Sequence, residues 1–544
     1  ALALLEAIDK DKAEKRLLTD AAYLRGNCLM EQEKFKEAAD AFKTYLEDKD
    51  AKQYRADALL KRGLAAKRAG GADDAEDALQ QLLEKHGDTA LAAEAAYNLA
   101  ELLAEQSPDQ AAALYRRVAD RHTDHRLAPY ALSGLGDLEA KRDRRDEAIA
   151  AYGRVAEQHP DSDLAPRALY RKATLLAKAG KHAEARTAFE QVAEKWPDHA
   201  LASDALLGLG LALEEQKAFE EAAGVFRRLI ETTQDAKTRE QATYELAWSL
   251  QQAGKTDEAA AAYKQLADAF PESPLAADAY FHLAEAPYGR KEYAKAVPLY
   301  EKALAAGDDR LKDKVLYRLG WCKWAEKAYA EAAALFGRLV TECPESDLVA
   351  EALLQAGEAY AKAGKPAEAI PLLEKLADEK YKDFEDAAEA RFRLGECQAI
   401  LGRADQALRT FTEMEKAYPA YKRPAKVQFQ IGKALYDLKR YDAARKRFRQ
   451  ALAKTDTETA AKSQFYIGET YLAENNPREA LKAYLRVVAL WAGYTEWAAG
   501  AQFEIGKCYQ ALGKPEDARA AFRKVVDKYK DTKWAEPAQE QLKP

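Results

Sequence analysis

Residues 312–348 read KDKVLYRLGWCKWAEKAYAEAAALFGRLVTECPESDL, and this stretch of 37 residues decides the fold. Its small residue Gly320 is followed by Ala332 at +12, Phe336 at +16 and Pro344 at +24. Working outward, a small residue recurs at 26, 63, 100, 136, 173, 210, 247, 284, 320, 357, 395, 432, 468 and 506, always 36 to 38 apart. Nearly every copy repeats the alanine and the aromatic or leucine, as in Gly26, Ala38, Phe42 or Gly506, Ala518, Phe522. The third copy is one residue short, with Ala100, Ala111 and Tyr115.

Apolar residues at +12, +16 and +19, such as Ala148, Tyr152 and Val155, share one helical face. Each copy therefore predicts two amphipathic helices, A around the small residue and B around the alanine, with the small residue allowing close approach. Gly70, Gly180, Gly254, Gly364, Gly402 and Gly513 stand where helix A must stop. Pro366, Pro477 and Pro515 fit the first turn of helix B, and Pro160, Pro197, Pro271, Pro344 and Pro419 end it. Composition agrees: 117 of the 544 residues are Ala against 27 Gly and 18 Pro, which favours helix over strand or disorder. No run of eighteen apolar residues exists to span a bilayer.

The string Tyr317-Arg-Leu-Gly320 with Ala332, Phe336 and Pro344 resembles the tetratricopeptide repeat (TPR), and the resemblance covers practically the whole chain. It implies an all-α solenoid, a right-handed superhelix of about fourteen helix-turn-helix units of about 37 residues, with helix A lining a concave groove. The family's usual unit is about 34 residues, so each copy here carries roughly three more. Turns such as Pro160-Asp-Ser-Asp-Leu164 and Pro344-Glu-Ser-Asp-Leu348 look like those of bacterial cell-envelope TPR proteins. Examples are the outer-membrane barrel-assembly lipoprotein and the Tol-Pal coordinator. Residues 1–18 read as the second helix of a preceding repeat, 19–530 as a continuous array and 531–544 as a capping helix. The chain opens on Ala1 without a polar capping helix, so the gene product is expected to start earlier.

Catalytic patterns fail the spacing that their chemistry requires. Gly254-Lys255-Thr256 resembles the end of a phosphate loop, but Ser249 stands where the earlier glycine is needed. Gly208 and Gly210 lack a preceding strand and a third glycine. His122 and His125 have no convergent third ligand and are expected to be solvated turn residues. Cys28, Cys322, Cys397 and Cys508 occupy one equivalent place, too far apart for disulfides, and read as core; Cys343 has no mate. Unpaired cysteines favour a reducing compartment, against the envelope resemblance. No cofactor, no metal and no enzyme activity are expected.

Binding candidates come from positions that the resemblance turns toward the groove, −6, −3, +1 and +4. An aromatic at −3 recurs in ten copies, which favours packing over binding. Copies seven to nine add Trp248, Tyr288, Trp321 and Trp324 beside Tyr244, Phe281 and Tyr317, predicting an apolar platform for a partner. Pro287 inside helix A of copy eight is expected to kink or shorten that helix. Residues 422–454 carry eleven cations (Lys422, Arg423, Lys426, Lys433, Lys439, Arg440, Arg445, Lys446, Arg447, Arg449 and Lys454) against Asp437 and Asp442. That is +9 locally and −16 over the other 511 residues, a field that can steer an acidic partner surface. Arg445 to Arg449 lie on helix B, whose outward positions are expected to be solvated. The acidic remainder of the chain disfavours nucleic acid.

The leading expectation is a non-enzymatic scaffold holding one or more proteins along its groove in the bacterial periplasm or cell envelope, with the cytoplasm as the alternative. Membrane association would be indirect or through an anchor outside these residues. Two other readings stand beside it: a polysaccharide-export scaffold whose groove aromatics stack on glycan, and a helical subunit of an enzyme whose catalytic domain lies elsewhere.

Overall fold

The computed structural model describes Leu2, Leu5 and residues 15–49, 51–381 and 383–543. Among the described residues there are 29 α-helices, one short 3-10 turn and no strand. Fourteen A and B pairs run from Lys15–Glu31 with Phe35–Glu47 to Thr495–Ala511 with Pro515–Lys528, followed by the short helix Ala535–Glu540. The chain is an α-solenoid in two compact units, residues 1–266 and 267–544. The expected helix over residues 1–18 falls largely outside the described residues; Lys15 to Leu18 belong to the first helix A. Within each unit helices pack on their chain neighbours. Consecutive helices A also touch directly, as Arg55–Arg68 with Leu91–Leu103 and Pro424–Asp437 with Glu458–Ala473, so A lines the tighter side of each stack.

One contact recurs. A Cβ placed on Gly320 would stand 2.6 Å from the ring of Phe336, and one on Gly26 would stand 2.7 Å from Phe42. The bare Cα of helix A is therefore the seat of the +16 ring of helix B. The −3 aromatic closes over the same ring: Tyr317 with Phe336 and Phe392 with Phe411 both have centroids 5.7 Å apart. The recurrent −3 aromatics thus pack the repeat. Burying such a ring contributes about 1.5–3 kcal/mol. Where the small residue is Ala100 or Ala173, the ring of Tyr115 or Phe189 lies instead against Gly134 or Gly208 of the next repeat.

Helix A ends on a left-handed residue at +7 in thirteen repeats. Six are the glycines expected from the sequence, with φ between +71° and +79°. The other seven are Glu33, Asp143, Lys217, Lys291, Lys327, Lys439 and Asn475, which carry side chains at φ of 56° to 62°. The cap bonds are alike: Ala328 N–H donates to Lys323 O at 2.9 Å as Lys365 N–H does to Tyr360 O. The sequence pattern marked only the glycines, because the bond geometry and not the residue type is what the turn repeats. Pro287 corrects another expectation. Its helix, Pro274–Gly289, is not shortened, since Pro287 sits in the last turn and Glu292 N–H still bonds its carbonyl at 2.8 Å.

Two substitutions test these contacts by thermal melting. Gly320→Ala is expected to lower stability by about 1–3 kcal/mol through the ring clash, although Ala is the better helix former. Lys327→Gly is expected to raise stability by about 1 kcal/mol by relieving the left-handed strain.

Candidate partner-binding face

The side chains of helix A at repeat junctions form an ordered ladder. Arg318, at −2, donates to Glu285, at +1 of the preceding repeat, at 2.9 and 3.0 Å. Arg393 does the same to Glu358 at 2.6 Å, Lys61 to Asn27 at 2.7 Å and Gln430 to Glu396 at 3.2 Å; Arg171 pairs with Asp137. The +16 tyrosine joins in three repeats, with Tyr152 donating to Asp137, Tyr300 to Glu285, and Tyr484 to Glu469 at 2.5 Å. Many +1 acids are therefore junction staples. The signal lay in the sequence as opposite charges 33 to 35 residues apart, just short of one period.

The seven aromatics of the expected platform divide between the units. All are half-buried. In unit 1, Tyr244 packs on Tyr263 and Trp248 on Phe219, with centroids 6.4 and 5.6 Å apart. In unit 2, Phe281 and Tyr288 both meet Tyr300. Trp321 bridges Tyr317, Phe336 and Trp324 at 6.1, 5.9 and 5.7 Å. Trp324 also takes the Lys362 ammonium at 5.6 Å from its ring centroid. Trp321 and Trp324 thus form one continuous surface with the helix A of the following repeat.

The basic stretch is partly neutralised. Arg445 corrects the expectation of a solvated outer face: it is only 6% exposed, paired with Asp442 and Glu474 and stacked 4.6 Å from the Tyr471 centroid. The following helix A covers it. Arg423 pairs with Glu389, Lys433 with Asp437, and Arg447 with Glu415 at 2.8 Å. Arg449 is exposed and reaches the Tyr471 hydroxyl at 3.4 Å. Lys422, Lys426, Lys439, Arg440 and Lys446 remain exposed. The helices Val349–Lys362, Ala387–Ile400 and Pro424–Asp437 border a cavity of about 410 Å³, lined by Glu358, Arg393, Glu396 and Lys433 among others. Ile400 borders it with 69% of its surface exposed.

Other candidates resolve as structure. Cys322, Cys397 and Cys508 are buried thiols, the first pushed up to about 12 by desolvation. His122 and His125 are half-buried, not solvated. His125 and His199 accept the backbone N–H two residues on, and burial pulls His122 and His159 below the usual histidine value. Among the described residues no cluster of three or more His, Cys, Asp or Glu could hold a metal ion. In unit 1, desolvation raises the Glu214 carboxyl to about 7, beside Glu245 and against the Ser249 hydroxyl that donates to it at 2.6 Å.

Paired helices in a fixed 36 to 38 residue period, locked ring on glycine, define a helical-hairpin repeat protein. Family models described as tetratricopeptide repeat match residues 60–107, 106–163, 170–237, 244–310, 354–422 and 429–495, and also 314–346 and 501–532. The chain belongs to the tetratricopeptide repeat family. No curated protein matches it in sequence. Among solved structures it is similar to Naa15/Naa10 bound to HypK-THB, at 15% identity over 96% of this chain and 78% of that one, TM-score 0.40. It is also similar to a tetratricopeptide repeat protein from Parabacteroides merdae, at 18% identity, 50% and 98% coverage and TM-score 0.31. A third is YrrB, described as a TPR protein with an unusual peptide-binding site, at 22% identity, 36% and 92% coverage and TM-score 0.30.

Because the folded chain holds the Glu214 proton more tightly than the unfolded chain, stability is lost as pH rises from the ordinary value of 4.5 to about 7 and levels off above it. Glu214→Gln is expected to raise the melting temperature at about pH 8 and to leave it nearly unchanged at about pH 5.

Proposed function

We propose that the chain is a non-enzymatic scaffold that holds one or more partner proteins along the face built by its helices A, as part of a bacterial envelope assembly. The observation that carries this is the preformed face of unit 2. There Trp321 and Trp324 continue onto Lys362, and the next helices A enclose the 410 Å³ cavity beside exposed Ile400. Rigid stacked helices lose little entropy when a partner docks, which favours such surfaces for capture. Aromatic anchors ringed by polar groups are where interface energy concentrates.

A partner with an acidic surface suits this face, because Lys426 of the helix Pro424–Asp437 stands exposed and outside the ion pairs that absorb Arg423 and Lys433. The proposed envelope setting rests on the Pro-Asp/Glu-Ser-x-Leu turns. Among the described residues no helix is long and apolar enough to cross a membrane.

Trp321→Ala with Trp324→Ala is expected to keep helical content and to sharply reduce partner capture, measured by crosslinking in the native cells followed by mass spectrometry. Capture equal to that of the unaltered chain would contradict the reading. Collapse of the helical signal would show the indoles to be core.

A further inference from the structure

The junction ladder has a gap in unit 1. Repeat three carries the acid, Glu101 at +1, but the donor place in repeat four is Gly134. A cavity of about 590 Å³ lies there, lined by Tyr97, Tyr115, Tyr130, Glu101, Glu105 and Ser133 among others. At two junctions closed by arginine the chain's own guanidinium occupies the equivalent place and lies over a tyrosine, Arg171 at 5.8 Å from the Tyr152 centroid and Arg318 at 4.7 Å from that of Tyr288.

The gap is furnished for such a group. Tyr115 is only 5% exposed, and its hydroxyl has no hydrogen-bond partner among the described residues although it lines the cavity. Burial and the nearby carboxylates of Glu101 and Asp137 keep that phenol protonated and neutral. Tyr97 stands edge-on to Tyr115 with centroids 5.9 Å apart, and Tyr130 is 45% exposed at the mouth. Glu101 accepts from Tyr97 and Lys67 at 2.9 and 2.7 Å, whereas Glu105 has no ion-pair partner among the described residues. Of the cations on the lining, Arg142 is turned to Asp109 and to buried Glu139, and Lys141 is exposed.

We infer that this cavity accepts an arginine side chain from a partner protein, its guanidinium taking the place that Arg171, Arg318 and Arg393 fill within the chain. Three tyrosines with carboxylates beside them suit a flat, weakly hydrated cation that both stacks and donates in a fork. A lysine ammonium would find the charge but lose the stacking and the fork. The inference rests on the reading of helix A as the partner-holding face, and names the chemistry of a second contact on it.

The test is calorimetric titration of the full chain with the peptide acetyl-Gly-Ser-Arg-Ser-Gly-amide and with the same peptide carrying citrulline or lysine. Citrulline keeps the shape and removes the charge. The arginine peptide is expected to bind saturably and roughly fivefold or more tighter than the citrulline peptide, with lysine between them. Tyr130→Ala and Glu105→Gln, both at exposed positions, are each expected to weaken arginine binding by roughly threefold or more at an unchanged melting temperature. Lys141→Ala is expected to tighten it. Equal affinity for arginine and citrulline, absence of saturable binding, or binding indifferent to both weakening variants would overturn the inference. Crosslinking through Trp321 and Trp324, read in parallel, separates its failure from that of the scaffold reading: intact capture there leaves the scaffold standing.

Discussion

The structure depends on an aromatic ring resting on a naked backbone. At Gly320, Gly395 and Gly432 the helix offers no Cβ, and Phe336, Phe411 and Phe448 lie where that carbon would be. This contact sets how closely helices A and B approach. The alanine of helix B, buried at Ala332, Ala407 and Ala444, sits one turn before the ring on the same face. Because the seat and the ring lie sixteen residues apart, the hairpin is specified locally. The array then needs only nearest-neighbour contacts to propagate, as in other solenoids. Gly134 and Gly208 show the limit of the rule: with Ala100 and Ala173 in the seat, the following repeat supplies the bare backbone.

A second constraint acts between hairpins and governs what the exposed face can do. Arg171, Arg318 and Arg393 each spend their charge on the preceding repeat, so much of the formal charge on helix A is absorbed at junctions. What can meet a partner is the remainder: the two tryptophans of unit 2, exposed Ile400 at its cavity and the tyrosines of unit 1 at the incomplete junction. Partly exposed ion pairs of this kind are modest sources of stability.

The hairpins were legible because their determinants repeat at fixed short offsets. Gly320, Ala332, Phe336 and Pro344 announce both helices and their boundaries. The ladder was not legible at that level, since its donors and acceptors lie in different repeats and change type from Arg to Lys to Gln. Arg445 read as solvated because a helical pattern places it outward; Tyr471 and Glu474, belonging to the next helix A, bury it. Lys327 and its counterparts at +7 hold a left-handed backbone that nothing in their side chains advertises. The aromatics at −3 could be assigned to packing from their regularity. Trp321 and Trp324 gave no such signal, being half-buried and continuous with the face at once.

The modular account is tested most directly by removing one whole period, residues 312–348, which joins Leu311 to Val349 at equivalent points before helix A. The measurement is circular dichroism of the shortened chain with its thermal melt. If each hairpin is specified by its own ring and glycine, ellipticity per residue stays unchanged and the melt stays cooperative, only the length being reduced by 37 residues of 544. A loss of helicity well beyond that share would contradict the account, because it would mean that the hairpins depend on distant parts of the chain.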